Sequence, residues 1–192
     1  MQAAARLHRA SERKAVGLTL LEGPHLVGEA RTAGVPLVEL FSTDDSYPDA
    51  VHVSQAAIER LSSTQTPQSP VAVIQIPKHS LDPERDVLVA WEIADPGNLG
   101  TMIRTAAAFG IDVAVLGGAD PWSPKTLRGA AGAHFHTSVV EMEGLEEIDA
   151  VKVATVLGDG DPPSALPGGR LALLIGSEAH GLSPETLATA DV

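Results

Sequence analysis

The sequence predicts an α/β protein whose larger sheet is mostly parallel. From residue 87 onward, apolar runs of strand length alternate with segments of helical periodicity, an order typical of parallel sheets covered by helices. The run at residues 171–175 is apolar throughout, as expected for a strand buried on both faces. Gly110 follows the helical pattern of residues 98–109 and is a typical helix stop. Together these features predict helices on both faces of a central sheet.

Within residues 87–192 the helix starts are marked by two Ser-Pro pairs. Ser123-Pro124 and Ser183-Pro184 each predict a helix, because serine caps a helix and proline fits its first turn. The predicted strands cover residues 87–93, 112–116, 151–157 and 171–175. We therefore interpret residues 87–192 as one domain.

The first 78 residues form a second predicted unit, a small α/β domain. Its apolar pattern predicts helices at residues 1–15, 26–33 and 54–61 and strands at residues 18–21, 38–41, 51–53 and 71–76. Residues 77–86 carry two prolines and five charged side chains but little apolar content. This composition predicts a linker at residues 79–86.

The charge of the chain is unevenly distributed. The net charge is −12, yet residues 1–78 hold 7 basic and 8 acidic side chains, whereas residues 79–192 hold 6 and 17. A polyanion is therefore expected to approach the first unit and to be repelled by most of the second. The predicted contacts are the N-terminal cations Arg6, Arg9, Arg13 and Lys14, although a merely solvated helix face would show the same residues.

Composition excludes several classes of protein. The 192 residues include no cysteine, which excludes disulfide scaffolds and thiolate metal sites. No stretch reaches the roughly 20 apolar residues of a membrane span, and the start lacks the apolar core of a signal peptide, so we expect a cytoplasmic protein. His134 and His136 alternate in a stretch predicted to be extended, but no third ligand stands at metal-site spacing. No metal site is predicted.

Asn98 and Arg104 stand at the first strand-to-helix turn of the second domain, in the segment DPGNLG (residues 95–100) and its continuation. Open α/β sheets bind ligands at such turns. Less than two helical turns separate the two side chains, so the guanidinium can reach back and bind a phosphate while the amide fixes its orientation. Alternatively, Asn98 caps the helix and Arg104 pairs with a surface carboxylate.

A second turn, LIGSEAHGL (residues 174–182), includes the end of the apolar strand and the loop after it. Gly176 and Gly181 flank Glu178, and glycines in such a loop let the backbone approach a ligand closely. Glu178 is predicted to orient a substrate hydroxyl or to pair with Arg104, unless it is only a surface carboxylate. If the two turns fold side by side, they form one pocket, and the chain is an enzyme.

In combination these segments resemble one protein family. The pattern NxGxxxRT at residues 98–105 is similar to the first signature motif of the SpoU (TrmH-type) RNA 2′-O-ribose methyltransferases, which belong to the knotted SPOUT class. The pattern LxGxExxGL at residues 174–182 resembles the second motif. LLEGP at residues 20–24 and the segment at 61–73 are similar to the small RNA-binding domain that precedes the catalytic domain in many members.

The resemblance implies an activity and a role for each candidate residue. The implied reaction moves a methyl group from S-adenosylmethionine to a ribose 2′-hydroxyl of RNA, and the N-terminal domain favours rRNA. Arg104 would position or help to deprotonate the hydroxyl, Asn98 would hold Arg104, and Glu178 would support the substrate side. A homodimer through the catalytic domain is also implied. The implied cofactor contacts are Thr155, Leu157, Gly176 and Gly181.

One part of the family pattern is absent from these residues. A third motif, which closes the knot and much of the cofactor pocket, is expected near the point where the chain ends at Val192. We expect the protein to continue beyond Val192 and the catalytic domain to be incomplete without that continuation. A non-catalytic RNA-binding protein that retains the SPOUT fold is therefore one alternative, and a tRNA 2′-O-methyltransferase is another.

Overall fold

The computed structural model describes residues 1–158 and 160–192, which contain two β-sheets. The strands are β1 (Leu18–Glu22), β2 (Leu37–Ser42), β3 (Val51–His52), β4 (Val71–Gln75), β5 (Val87–Trp91), β6 (Asp112–Leu116), β7 (Val139–Glu141), β8 (Val151–Ala154) and β9 (Leu171–Ile175). The α-helices are α1 (Gln2–Arg6), α2 (Ala10–Val16), α3 (Pro24–Thr32), α4 (Gln55–Leu61), α5 (Pro96–Phe109), α6 (Pro124–Gly129) and α7 (Pro184–Leu187). The described part of the chain has no helix with both the length and the apolar character needed to cross a bilayer.

The first sheet has the strand order β1-β4-β2-β3. β4 lies antiparallel to both β1 and β2, and the short edge strand β3 pairs with β2 in parallel. Every residue of β1 after Leu18 is buried, as is β4 up to Ile74, so the sheet is covered on both faces at these two strands.

The second sheet is wholly parallel and has the order β7-β6-β5-β9-β8. The chain builds outward from β5 to β6 and β7, and then adds β8 and β9 on the other side of β5. The direction of winding thus changes between β5 and β9, and ligands of open α/β sheets bind at the carboxyl edge beside such a point. The predicted α/β fold with a mostly parallel sheet is confirmed, and both candidate turns follow these two central strands.

One apolar cluster joins the two sheets. It contains Leu21 and Ile74 from the first sheet together with Leu88 and Ile103 from the second part of the chain, and none of the four is more than 7% exposed. Removal of such side chains from water is the main stabilising term in folding, at about 25 cal/mol per Å². Each sheet also has a smaller cluster of its own. The boundaries 1–78 and 87–192 therefore stay a prediction, because the two units share part of their core.

The segment at residues 79–86, predicted as a linker, lies along the amino-terminal edge of the second sheet. The Val139 nitrogen donates to His79 Nδ1 (3.0 Å), and the Asp82 nitrogen donates to the buried carboxylate of Asp112 (2.7 Å). Arg170 donates to the Asp82 carbonyl oxygen (2.9 Å). These bonds attach the segment to the sheet at several points, so it is not a free tether.

The single helix predicted at residues 1–15 is divided into α1 and α2. Arg9 is extended, with φ −88° and ψ 129°, and precedes the first turn of α2. The Arg13 guanidinium then reaches back and donates to the Leu7 carbonyl oxygen (2.6 Å) at the end of α1. The break leaves the last carbonyl oxygens of α1 without helical partners, and the buried Arg13 side chain binds one of them.

The prediction of an extended stretch at His134 and His136 is wrong. Ala133–Phe135 form one turn of 3-10 helix, and the strand β7, which was not predicted, follows soon after. His134 is buried, and its Nε2 donates to the Pro121 carbonyl oxygen (2.7 Å). His136 is partly exposed, and its Nε2 lies 3.0 Å from Glu29. The two rings therefore have different surroundings.

Burial of His134 is expected to make stability depend on pH. Loss of solvation around the ring lowers the pKa of His134 from 6.5 to about 4. Between these values the unfolded chain binds a proton that the folded protein does not, so stability falls as the pH drops from about 7 to about 4, by up to about 3 kcal/mol. His134→Gln, which retains a donor, is expected to flatten this dependence in denaturant unfolding at several pH values, whereas His25→Gln on exposed α3 leaves it unchanged. Equal slopes for H134Q and the wild type would contradict the assignment.

Candidate active site

Four residues separate the end of β5 from the start of helix α5, which carries Asn98 in its first turn. Asp95 is the N-cap, because its Oδ1 accepts from the backbone nitrogens of Gly97 (2.7 Å) and Asn98 (3.1 Å). Pro96 occupies the first helical position, where its missing N–H costs nothing. The alternative in which Asn98 caps the helix is therefore wrong, and its side-chain amide is available for another partner.

Asn98 joins the two candidate turns. Its Nδ2 donates to Glu178 Oε1 at 2.6 Å, across 80 positions of sequence. This hydrogen bond is the largest of the influences that hold the pKa of Glu178 below its usual range, so the carboxylate is kept ionised. Both side chains are exposed at the carboxyl edge of the sheet, where a ligand can reach them. The two turns thus lie side by side, as one site requires.

The loop that carries Glu178 is closed by backbone hydrogen bonds. Ser177 and Gly181 exchange two of them, with nitrogen–oxygen distances of 3.1 and 2.8 Å. Gly176 lies against the Gly181 backbone so closely that a Cβ on Gly176 would overlap it. Glycine is therefore required at 176 by the shape of the loop itself. Cofactor contacts at Gly176 and Gly181 stay a prediction.

Arg104 lies on the exposed side of α5, about 9 Å along the helix axis from Asn98. Helical side chains slant towards the N-terminus, so an extended arginine at this position can reach back along the helix. Among the side-chain hydrogen bonds and ion pairs within residues 1–158 and 160–192, none involves the Arg104 guanidinium. The Asn98 amide binds Glu178 and not Arg104. The predicted support of Arg104 by Asn98 is thus absent from this arrangement, and the guanidinium is accessible to a ligand.

Helix α6 packs directly against the first half of α5. A Cβ on Gly100 would lie 2.7 Å from the Ala130 nitrogen and 2.7 Å from the Thr126 carbonyl oxygen. A Cβ on Gly129 would come within 3.4 Å of the Gly97 and Gly100 backbones. The two helices therefore touch through their main chains, which fixes the position of the active-site helix.

Two further side chains support the site and were not assigned a role from the sequence. Lys125 on α6 donates from Nζ to Asp95 Oδ2 (2.9 Å), and this bond is the largest cause of the lowered pKa of Asp95. The Asp95-Pro96 pair is a recognisable helix-start signal, so the cap could have been found. Nothing local to Lys125 shows its partner, which lies 30 residues earlier in the chain.

A cleft of about 770 Å³ opens beside β8 and β9. Thr155 lines it, but its backbone nitrogen and its hydroxyl both donate to the Leu174 carbonyl oxygen (3.1 and 2.8 Å). Leu157 is fully exposed and does not line the cleft, and Gly176 and Gly181 lie in the neighbouring loop. The structure therefore places only Thr155, of the four predicted cofactor contacts, in the cleft wall.

The predicted N-terminal cations have three different environments. Arg13 is 3% exposed, and its Nε donates to Asp120 (3.1 Å), so the prediction that Arg13 contacts RNA is contradicted by burial and pairing. Lys14 is exposed but bound to Glu141 (3.0 Å), and this hydrogen bond raises the pKa of Lys14. Arg6 and Arg9 are exposed.

In the ranges that the structure describes, no group of three or more His, Asp or Glu residues could hold a metal ion.

Comparison with known families assigns both parts of the chain. The model of the SpoU rRNA Methylase family matches residues 86–192, and that of the MRM3-like substrate binding domain matches residues 1–72. The 23S rRNA (guanosine(2553)-2'-O)-methyltransferase RlmP of Bacillus subtilis is 36% identical over 204 aligned positions, which cover 97% of this chain and 82% of RlmP. The chain belongs to the SpoU rRNA methylase family. Its two motif turns are the ones joined by Asn98 and Glu178.

Other SpoU relatives share part of the chain or only its fold. The mitochondrial rRNA methyltransferase 3 of Homo sapiens is 31% identical over 67% of this chain, which spans 36% of that longer protein. The crystal structure of the SpoU methyltransferase AviRb from Streptomyces viridochromogenes, in complex with AdoMet, superposes with a TM-score of 0.86 at 23% identity and covers 99% of this chain and 84% of AviRb. This likeness shows that the SpoU fold extends over almost the whole molecule.

Proposed function

We propose that this SpoU family member transfers a methyl group from S-adenosylmethionine to a ribose 2′-hydroxyl of rRNA. The observation that carries the proposal is the hydrogen bond between Asn98 and Glu178, which brings the two motif turns into one site. The name of RlmP as a 23S rRNA 2'-O-methyltransferase supports the reaction, and the match of residues 1–72 to a substrate-binding domain supports an RNA substrate.

The cleft beside β8 and β9 fits the proposed cofactor. Its volume of about 770 Å³ lies within the range of roughly 300–1,000 Å³ that is usual for small-molecule sites. Leu173 and Leu187 offer apolar surface for a flat adenine, and Asp161 offers a carboxylate for the positively charged methionine part. The Asp191 carboxylate in the same wall already accepts from the Lys152 nitrogen (2.8 Å). When bound there, S-adenosylmethionine supplies an activated methyl group. The crystal structure of AviRb with AdoMet supports this choice of cofactor.

The proposed cofactor contacts come from two neighbouring loops. Thr155 and Leu157 follow β8, and Gly176 and Gly181 follow β9. Since β8 and β9 are adjacent parallel strands, both loops leave the same edge of the sheet. The nitrogen and the hydroxyl of Thr155 are both bonded to the Leu174 carbonyl oxygen, so Thr155 would contact the cofactor through its own carbonyl oxygen. Leu157, Gly176 and Gly181 lie outside the cleft wall and would contact the cofactor at its margin.

In the proposed mechanism, the side chains of the site prepare the ribose. A hydroxyl is a poor nucleophile until its proton is removed, so its orientation and its proton must both be controlled. A guanidinium is a weak base, so the accessible side chain of Arg104 is better suited to bind the phosphate next to the target sugar. Glu178, fixed by Asn98, accepts a hydrogen bond from the 2′-hydroxyl, aligns the sugar and receives the proton that the hydroxyl gives up on methylation.

The remaining parts of the proposal concern organisation. Residues 1–78 are the proposed RNA substrate-binding domain, 79–86 the connecting segment and 87–192 the methyltransferase domain. Phe109, 76% exposed at the end of α5, supports the proposed homodimer through the catalytic domain. The trefoil knot and the cytoplasmic location stay predictions.

Replacement of the exposed N-terminal arginines is expected to weaken RNA binding. Arg6→Ala combined with Arg9→Ala should lower rRNA affinity by about three- to ten-fold at low salt. The slope of log K against log salt should become shallower by about 1.5, because fewer phosphate contacts mean that fewer counterions are released when the RNA binds. Filter binding over a series of KCl concentrations measures both quantities. Arg85→Ala, which removes an exposed charge outside the proposed RNA-binding domain, is the control. An unchanged slope in the double variant would show that the RNA binds at another surface of the protein.

Mass-spectrometric mapping of ribose methyls tests the proposed function. The full chain is incubated with S-adenosylmethionine and with protein-free rRNA or tRNA in parallel. A new 2′-O-methyl group on rRNA is expected. Methylation of tRNA alone would show that tRNA, and not rRNA, is the substrate. RNA binding without methylation of either RNA would favour a non-catalytic RNA-binding protein.

A further inference from the structure

Four side chains form a continuous polar connection at the start of α5. Lys125 Nζ binds one carboxylate oxygen of Asp95 (2.9 Å), and the other oxygen accepts from the Gly97 and Asn98 backbone nitrogens (2.7 and 3.1 Å). The Asn98 side chain then donates to Glu178 (2.6 Å). Asp95 therefore uses both oxygens, one towards α6 and one towards the residue that carries the candidate amide.

We propose that Lys125 is a positioning residue for the Asn98–Glu178 pair. Lys125 fixes the rotamer of Asp95, Asp95 fixes the first turn of α5, and the first turn sets the direction in which the Asn98 amide points. The inference rests on the proposed function, since it concerns the placement of groups at that same site.

Helix α6 is itself fixed to the N-terminal sheet, which makes it a rigid base for Lys125. Arg128, one turn after Lys125, donates to Glu22 at the end of β1 (2.8 Å). Glu22 is buried and also accepts from the hydroxyls of Ser62 (2.8 Å) and Ser63 (2.9 Å). A buried, fully bonded carboxylate holds its partner far more firmly than an exposed one. Lys125 thus extends from an element that is fixed to the proposed RNA-binding domain.

The expected effect of Lys125 is on geometry more than on stability. The Lys125 and Asp95 side chains are 59% and 49% exposed, and exposed ion pairs add at most about 1 kcal/mol to folding. Catalysis is more sensitive, because a displacement of about 1 Å in a reacting group can cost about a hundred-fold in rate. A change in kcat without a matching change in stability is therefore the signature of a positioning role.

Steady-state methyl transfer by three variants tests the inference. Lys125→Met removes the ammonium group, Lys125→Arg retains a donor, and Asp95→Ser retains a helix cap but removes the partner of Lys125. We expect kcat to fall by about five- to twenty-fold in K125M and D95S, with KM for both substrates within about two-fold of the wild type. K125R should recover kcat to within about three-fold. The double variant K125M/D95S should lose no more than either single variant, because both remove the same contact.

The control variant is Arg85→Met, which breaks the exposed ion pair between Arg85 and Asp82 (3.5 Å) at the amino-terminal edge of the second sheet, away from the site and from the proposed RNA-binding domain. It should leave kcat unchanged. A K125M enzyme with wild-type kcat, or an equal loss in K125M and K125R, would overturn the positioning role. So would fully additive losses in the double variant.

A second measurement separates this inference from the proposed function. Amide hydrogen exchange at Gly97 and Asn98 reports on the Asp95 cap and needs no substrate. We expect at least about three-fold faster exchange in K125M than in the wild type or K125R. If the wild-type protein failed to methylate rRNA, the proposed function would fall while faster exchange still supported the structural role. Unchanged exchange in K125M would overturn the inference whatever the activity.

Discussion

Arg104→Ala is expected to abolish methyl transfer, with a loss of at least about a hundred-fold in kcat, while the affinity for S-adenosylmethionine stays within about two-fold. Arg104 is exposed on α5 and is not engaged by another side chain of the described residues, so its removal disturbs no internal contact. The proposed cofactor cleft lies beside β8 and β9, and Arg104 does not line it. Calorimetry with S-adenosylmethionine and initial rates on rRNA measure the two properties separately.

Arg104→Lys distinguishes a phosphate-binding fork from a simple positive charge. Lysine keeps the charge but cannot offer two parallel donors, so an activity between those of the wild type and R104A is expected. Arg60→Ala on α4 removes an exposed helical arginine away from the site and should retain full kcat. An active R104A enzyme would remove Arg104 from the mechanism and leave Glu178 and Asn98 as the groups to examine.

Gly100→Ala is expected to destabilise the protein by about 3 kcal/mol, at the upper end of the cost of overpacking. The added methyl group would meet the backbone of Thr126 and Ala130, which cannot rotate away as a side chain can. Helix α6 must then move away from α5, and Lys125 moves with it. Denaturant unfolding measures the loss of stability, and kcat should fall as well.

Gly28→Ala is the matched control for this substitution. Gly28 also lies within a helix, α3, but a Cβ there would meet nothing within 4 Å. Alanine is favoured over glycine in helices by up to about 1 kcal/mol, so G28A should be neutral or stabilising. If G100A were no less stable than G28A, the close contact of α5 with α6 would be refuted.

The elements predicted best are those whose signals are local. The apolar run at residues 171–175 predicts β9 with its observed bounds, and the Ser-Pro pairs at 123 and 183 predict the observed N-caps. The break at Arg9 and the strand β7 were missed, because each depends on partners elsewhere in the chain. Val113, for example, supplies the pairing that turns Val139 into a strand residue.

The candidate site was predictable to the extent that motifs mark it. Asn98 and Glu178 could be selected from the sequence, and their contact follows from the order of the strands. Burial was not predictable in the same way. Arg13 has the same local signal as Arg6, yet a carboxylate 107 residues away draws Arg13 into the interior. Long-range pairing of this kind leaves no trace in charge or spacing.

The apolar cluster shared by the two sheets limits how the protein can be recombined. Leu21 and Ile74 cover side chains that belong to the catalytic half. A foreign recognition unit grafted before residue 87 would therefore need to present an equivalent apolar surface. Truncation to the catalytic half would uncover that face and invite aggregation. Engineering of a new target sequence therefore has to proceed by surface substitution in the existing first unit, not by exchange of the whole unit.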